Sequence, residues 1–143
     1  MTEARHVVVA DPELRERVRM TELLRAPADE LGFALEVHTA NDGPSALALI
    51  EQLRPALVLA EILLEGMSGL ALLRRLRSSL PADKVPPFVF VTTMARESDR
   101  YWGLRNGAHG YVMKPYEDDL LQSRIREVLK AGGELTPEKL GLL

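Results

Sequence analysis

The 143 residues contain no cysteine, so disulfides and thiolate zinc sites are excluded and nothing marks an oxidising compartment. Aromatic residues make up only 5% of the chain, with a single tryptophan, Trp102, which makes any aromatic surface cluster conspicuous. Basic charge is not in excess: the formal net charge is -3 with signs interspersed, so no basic stripe exists to neutralise a phosphate backbone, and nucleic acid is excluded as the main partner. Long apolar runs are missing too. The N-terminal MTEARHVVVAD carries an apolar stretch too short for a signal-peptide core or membrane span, and no later run approaches about 20 apolar residues. A soluble, cytoplasmic protein without membrane association is expected. His6, His38 and His109 are far apart in sequence without ligand spacing; they read as isolated histidines, and no metal is assigned to them.

What is present is an alternation of short apolar runs with amphipathic ones. The length suits one hydrophobic core. His6 to Ala10 (HVVVA) is a β-branched run ending at Asp11-Pro12, and Leu14, Val18, Leu23 and Leu24 then recur at helical spacing until Pro27. Ala34 to Thr39 alternates as a strand, Asn41-Asp42-Gly43 turns, and Pro44 begins a helix through Ala46, Leu47, Leu49, Ile50 and Leu53. Ala56 to Ala60 is a buried-type strand, and Gly66 to Gly69 precedes a helix with Leu70, Leu72, Leu73 and Leu76. Phe88 to Val91, a helix from Glu97 to Asn106 stopped by Gly107, a strand from Tyr111 to Met113 and a helix from Leu120 to Leu129 complete five strand-helix units. Such an alternation predicts a doubly wound α/β domain, a parallel sheet covered on both faces. Polar residues following the strands converge in that architecture on a crevice at the carboxyl end of the sheet. Here they are Asp11, Glu61, Thr92 and Lys114.

Those positions, with the segments PALVLAEILLEGMSG from Pro55, VFVTTMA from Phe88 and GAHGYVMKPYEDDLL from Gly107, resemble the receiver domains of bacterial response regulators, the group that includes CheY. The resemblance covers about residues 5 to 131. It implies a flavodoxin-like (βα)5 fold with strand order 2-1-3-4-5, a receiver domain over residues 1–131, and a C-terminal tail or short helix over 132–143. It further implies that Glu61 stands where the phospho-accepting aspartate belongs, Thr92 where a hydroxyl binds phosphoryl oxygens, Lys114 where an ammonium pairs with them, and Tyr111 at a switch aromatic. Pro115 follows the lysine at a peptide often cis in this family. Magnesium, weakly held if at all, would use Asp11, Glu61 and the backbone carbonyl of Leu63.

Two departures from the family pattern bear on chemistry. Receivers usually show a pair of acidic residues after the first strand, whereas Ala10-Asp11-Pro12 offers one carboxylate, which thins the ligands for an ion that demands near-octahedral geometry. Glu61 is one methylene longer than aspartate, moving its carboxylate outward by about 1.5 Å, and misplacement of ~1 Å can cost about a hundredfold in rate. Thr93, where Ala or Gly is common, narrows the pocket mouth, and Glu65, where proline is common, adds negative charge. The expectation is an atypical receiver, not an enzyme, with no catalytic residue and no required cofactor. Glu61 is then either a partial mimic of the phosphorylated state or an inert remnant, solvated or paired with Lys114. The alternative is a conventional receiver that accepts a phosphoryl group on Glu61 with Mg2+. A nucleotide-binding domain of the same fold is disfavoured, because Asp11-Pro12-Glu13 lacks a glycine-rich phosphate loop.

The resemblance places partner binding on the face of the fourth helix, fifth strand and fifth helix, which here offers Met94, Arg96, Tyr101, Trp102, Arg105, Tyr111, Met113 and Tyr116. These residue types are favoured at interfaces. Because neighbours on a helix point about 100° apart, at least one of Tyr101 and Trp102 is expected to pack on the sheet. The stretch VTTMARESDRYWGLRNGA from Val91 is locally similar to single-domain receivers of type IV pilus and twitching-motility systems. That similarity implies motility or polarity control, with a chemotaxis-like kinase or a motility protein as partner, and a monomer or weak homodimer. In the tail, Thr136 is suited to cap a short helix carrying Leu140, Leu142 and Leu143.

Overall fold

The computed structural model describes residues 4–131. Five strands, β1 (Ala4–Ala10), β2 (Ala34–Ala40), β3 (Leu57–Ala60), β4 (Phe88–Thr92) and β5 (Gly110–Met113), form one parallel sheet in the order β2-β1-β3-β4-β5. Among the described residues six helices cover it, α1 (Leu14–Leu23), α2 (Arg25–Leu31), α3 (Gly43–Leu53), α4 (Gly69–Ser79), α5 (Glu97–Arg105) and α6 (Asp118–Ala131), with a 3-10 turn at Ala82–Lys84. This is the predicted doubly wound, flavodoxin-like architecture. The C-terminal tail, including the short helix expected after Thr136, lies outside the described residues.

The expected first helix is two helices. It breaks at Leu24, and α2 resumes through Pro27 rather than ending there. Pro27 is the third residue of α2, where the missing N–H would have no partner within the helix in any case. The inward face of α1 also differs from expectation. Leu14 and Val18 of the expected stripe are exposed, Leu24 of that stripe is fully buried, and Met20, outside it, is the residue of α1 without solvent access. α3 and α4 begin on side-chain caps, Asp42 accepting from the Ser45 N–H at 2.8 Å and Ser68 accepting from the Ala71 N–H at 3.1 Å.

The uniformly apolar strands explain why the sheet is central. Alternate residues of each strand point to opposite faces, so Val8, Ala10, Val58, Ala60, Phe88 and Phe90 pack with Ile50, Leu72, Leu76 and Leu104 from α3, α4 and α5. Val7, Val9, Leu57, Leu59, Val89 and Val91 pack on the other face with Met20, Leu121, Ile125 and Val128 from α1 and α6. Each fully buried Val, Leu or Phe contributes about 1.5–3 kcal/mol. Edge strand β2 is less covered. Its register sets His6 opposite Glu36 and Val8 opposite His38. Side chains of Glu36 and His38 therefore share one face with that of His6, and His6 Nδ1 lies 3.1 Å from His38 Nε2. The reading of these two histidines as isolated is corrected: strand pairing brings together residues 32 positions apart. His109, at the start of the turn into β5, is elsewhere.

Candidate pocket at the carboxyl ends of the strands

β1, β3, β4 and β5 end next to one another, and the residues that follow or close them meet. Among the described residues the buried polar side chains are Asp11, Glu61 and Thr92. Burying two carboxylates costs several kcal/mol per ion unless they are paired and hydrogen-bonded. Lys114 supplies the pairing: its Nζ donates to Asp11 Oδ2 at 2.6 Å and to Glu61 Oε1 at 3.3 Å. Burial alone would lower the pKa of that ammonium, but the Asp11 hydrogen bond and the charges of Asp11 and Glu61 outweigh it and hold the pKa above the ordinary lysine value.

Backbone donors complete the network. Glu61 Oε2 accepts from the N–H groups of Ile62 at 2.6 Å and Leu63 at 3.1 Å, and Oε1 also accepts from the Thr93 N–H at 3.3 Å. Asp11 Oδ1 accepts from the Glu13 N–H at 2.9 Å. Thr92 Oγ1 accepts from the Met94 N–H at 3.1 Å, fastening the start of the β4–α5 loop. The turn after Glu61 depends on close backbone approach at Gly69, where an added Cβ would lie 2.6 Å from the Glu61 carbonyl oxygen. The Lys114–Pro115 peptide is cis.

Asp11, Glu61 and Lys114 thus converge in a pocket of about 400 Å³ that Glu13, Glu16, Arg19, Leu63, Thr93 and Tyr116 help to line, whereas Thr92 is fully buried at the end of β4 and does not line it. Glu61 is buried and not a solvated remnant. Thr93 stands at the mouth as expected, whereas Glu65 is exposed and does not line the pocket.

Magnesium is the ion implied by the resemblance, through Asp11, Glu61 and the Leu63 carbonyl. The residues do not fit it as they stand. Each of the four carboxylate oxygens already accepts a hydrogen bond, and the Lys114 ammonium occupies the position between the two carboxylates where a cation would neutralise them. An ion would have to displace Lys114 from Asp11.

Tyr116 requires a correction. It was expected on the output face, yet its ring is 7% exposed and packs in the α1–α6 core. Arg19 lies 4.3 Å from the ring centre, Arg19 Nη2 donates to the Tyr116 carbonyl at 3.1 Å, and the Tyr116 hydroxyl donates to Glu16 Oε2 at 3.3 Å. Arg19, held also by Asp118 at 2.6 Å, and Glu16 are pocket residues that sequence reasoning missed. Their only sequence signal was a polar i, i+3 pair on a helix, which does not stand out from solvent-facing charge.

Tyr111 is half-buried. Its hydroxyl donates to the Met94 carbonyl at 2.7 Å, and its ring lies edge-on to Phe90. Burial, then the charges of Asp99 and Glu61, push the Tyr111 pKa up to about 12. Gly103 leaves room for the ring: an added Cβ would lie 2.8 Å from Tyr111 Cδ2. Beyond it, Tyr101 and Trp102 are 48% and 53% exposed, and Met113 and Arg105 are exposed as well. Neither aromatic of α5 packs on the sheet. Gly103 and Leu104 take the inward positions, and a two-residue step of about 200° turns the preceding pair outward.

The model of the response regulator receiver domain family matches residues 7–126. The chain belongs to that family. The Mycobacterium tuberculosis sensory transduction protein RegX3 is 39% identical to this receiver over 112 residues, covering 75% of the chain and 48% of RegX3. The DNA-binding response regulator MtrA of Mycolicibacterium smegmatis is 35% identical over 136 residues, 95% of the chain and 54% of MtrA. The receiver spans about half the length of these curated relatives. Among solved structures, the DNA-binding response regulator of the LuxR family from Staphylococcus aureus superposes with a TM-score of 0.73 at 26% identity, covering 87% of this chain and 98% of that one. A Clostridium thermocellum receiver domain protein gives 0.73 at 19% identity, covering 88% and 94%, a likeness of fold alone. In keeping with the family, the chain is a signalling module of two-component type, and among the described residues no helix is long and apolar enough to cross a membrane.

Proposed function

We propose that this receiver is atypical, a phosphorylation-independent protein–protein interaction module in which Glu61 replaces the phospho-accepting aspartate. The observation that carries the reading is the engagement of Glu61: its Oε1 takes the Lys114 ammonium and the Thr93 N–H, donors that point into the pocket, and its Oε2 takes two further backbone donors. A resident carboxylate on those donors supplies about −1 where a phosphoryl group would supply about −1.5 to −2. It acts as a partial, permanent mimic. The Glu61 carboxylate and Tyr111 grip adjacent residues of the β4–α5 loop, Glu61 accepting from the Thr93 N–H and Tyr111 donating to the Met94 carbonyl.

Partners bind through α5, β5 and α6, where Tyr101, Trp102, Arg105 and Met113 stand exposed beside Tyr111. A partner of this face is a protein, a chemotaxis-like kinase or a motility protein; the pilus-type segment from Val91 supports a role in motility or polarity control. The receiver works in the cytoplasm as a domain over residues 1–131, with no resident cofactor and no enzymatic turnover.

Incubation with magnesium and acetyl phosphate, followed by intact-mass measurement, tests the reading. No stable adduct is expected, and an acyl-phosphate on Glu61 would overturn it. Glu61→Gln separates mimic from remnant: partner affinity should fall with the charge, and an unchanged affinity would count against mimicry. Glu61→Asp examines the site without the extra methylene; with only Asp11 beside it, acceptance is expected to stay weak.

A further inference from the structure

Among the described residues, the one side-chain cluster outside the strand-end pocket with a metal-ligand donor set is His6, Glu36 and His38. We infer that these three residues form a binding site for a divalent transition ion of zinc type on the β1–β2 edge of the receiver. The inference does not depend on the signalling role proposed above.

The geometry comes from the sheet. Parallel pairing of β1 with β2 puts His6 opposite Glu36, and His38, two residues along, projects from the same face of β2. His6 Nδ1 is 3.1 Å from His38 Nε2 and 3.4 Å from Glu36 Oε2, and one ligand atom from each of the three residues falls within 4.8 Å of the others. Ligand atoms about 2.0–2.1 Å from one ion at the tetrahedral angle stand about 3.3–3.4 Å apart. The backbone ladder therefore already sets His6 at ligand spacing from both neighbours. Two imidazoles and a carboxylate are a donor set that suits zinc and leaves a fourth position open, and the partly exposed side chains, 33% for His6 and 57% for Glu36, give water access to it. Oxygen-seeking magnesium is a poor match for the same set. A bound ion would join edge strand β2 to β1 by bonds other than the ladder's hydrogen bonds.

The test titrates tag-free full chain with Zn2+, and separately with Co2+, in excess Mg2+ so that oxygen-only sites are occupied. One ion per chain is expected, with a tetrahedral-type visible spectrum for cobalt. Melting temperature should rise by about 5–10 °C at roughly a hundredfold excess over Kd. Loss of a second-sphere partner alone costs metal sites 10–100-fold, so His6→Ala and His38→Ala should each weaken binding by at least about 100-fold, and Glu36→Gln by about tenfold or more. Nitrogen NMR of the wild-type chain guards against variants that fail to fold: with only three histidines and no cysteine, zinc should move His6 Nδ1 and His38 Nε2. No saturable binding, binding that survives both histidine variants, or shifts confined to His109 would each overturn the site.

Discussion

At the carboxyl ends of β1 and β3 both buried carboxylates are hydrogen-bonded inside the fold and share the Lys114 ammonium, whereas on the face of α5 and β5 the side chains of Tyr101, Trp102 and Met113 leave apolar surface in water. The two regions are joined through the β4–α5 loop, where Thr92 holds the Met94 N–H and Tyr111 holds the Met94 carbonyl. One region has its donors and acceptors satisfied and gains little from a new charged ligand. The other has aromatic and sulfur-bearing surface whose burial against a partner is favourable. The contrast locates the receiver's unfinished interactions on the exposed face of α5 and β5 rather than in the pocket.

Removing the central cation should break the pocket side hardest. Lys114→Met strands two buried carboxylates, and a loss of about 3–5 kcal/mol in urea unfolding is expected; a change under about 1 kcal/mol would mean the pocket is not held by that ion pair. On the opposite side, Trp102→Ala is expected to cost about 2 kcal/mol or more in partner affinity while leaving stability within about 0.5 kcal/mol. Calorimetric binding together with a melting curve measures both. An equal loss in the two assays would move Trp102 from the interface to the fold.

The link between the regions carries a smaller effect. Tyr111→Phe should cost about 0.5–1.5 kcal/mol through the lost bond to the Met94 carbonyl. The fold raises the pKa of this phenol from 10.0 to about 12, so the unfolded chain releases the proton first and stability falls as pH rises through that window. Lys114, also raised, loses its contribution in the same alkaline direction. Unfolding at stepped alkaline pH should therefore show a decline that is shallower in Tyr111→Phe than in the parent. Smallest of all, Thr93→Ala removes an exposed side chain at the pocket mouth, with an expected change within about 0.5 kcal/mol and no gain of phosphoryl acceptance. A gain would show that Thr93, and not the Glu61 network, closes the pocket.

How far these features could be read beforehand depended on their range along the chain. The apolar runs 57–60 and 88–92 are local signals, and their alternation with helices led to the parallel sheet and to Asp11, Glu61, Thr92 and Lys114 at its carboxyl end, while the strand order 2-1-3-4-5 was implied by the family resemblance. Errors arose where the deciding contact is distant. Leu14 and Val18 fit a helical stripe, yet α1 rolls to leave them exposed and to bury Met20, which the stripe did not include. Tyr116 is drawn inward by Glu16 and Arg19, about a hundred positions earlier. Tyr101 and Trp102 both face out because Gly103 must sit against Tyr111.

The alternation of strands with helices along the chain and the set of polar residues that follow the strands were determined by the sequence alone, since periodicity and turn residues act over a few positions. Tertiary structure decided which oxygen of Glu61 meets which donor, which aromatics reach water, and that His6 and His38 touch. Those outcomes depend on strand register and helix roll, and both are set only when segments far apart in the chain compete for the same buried space.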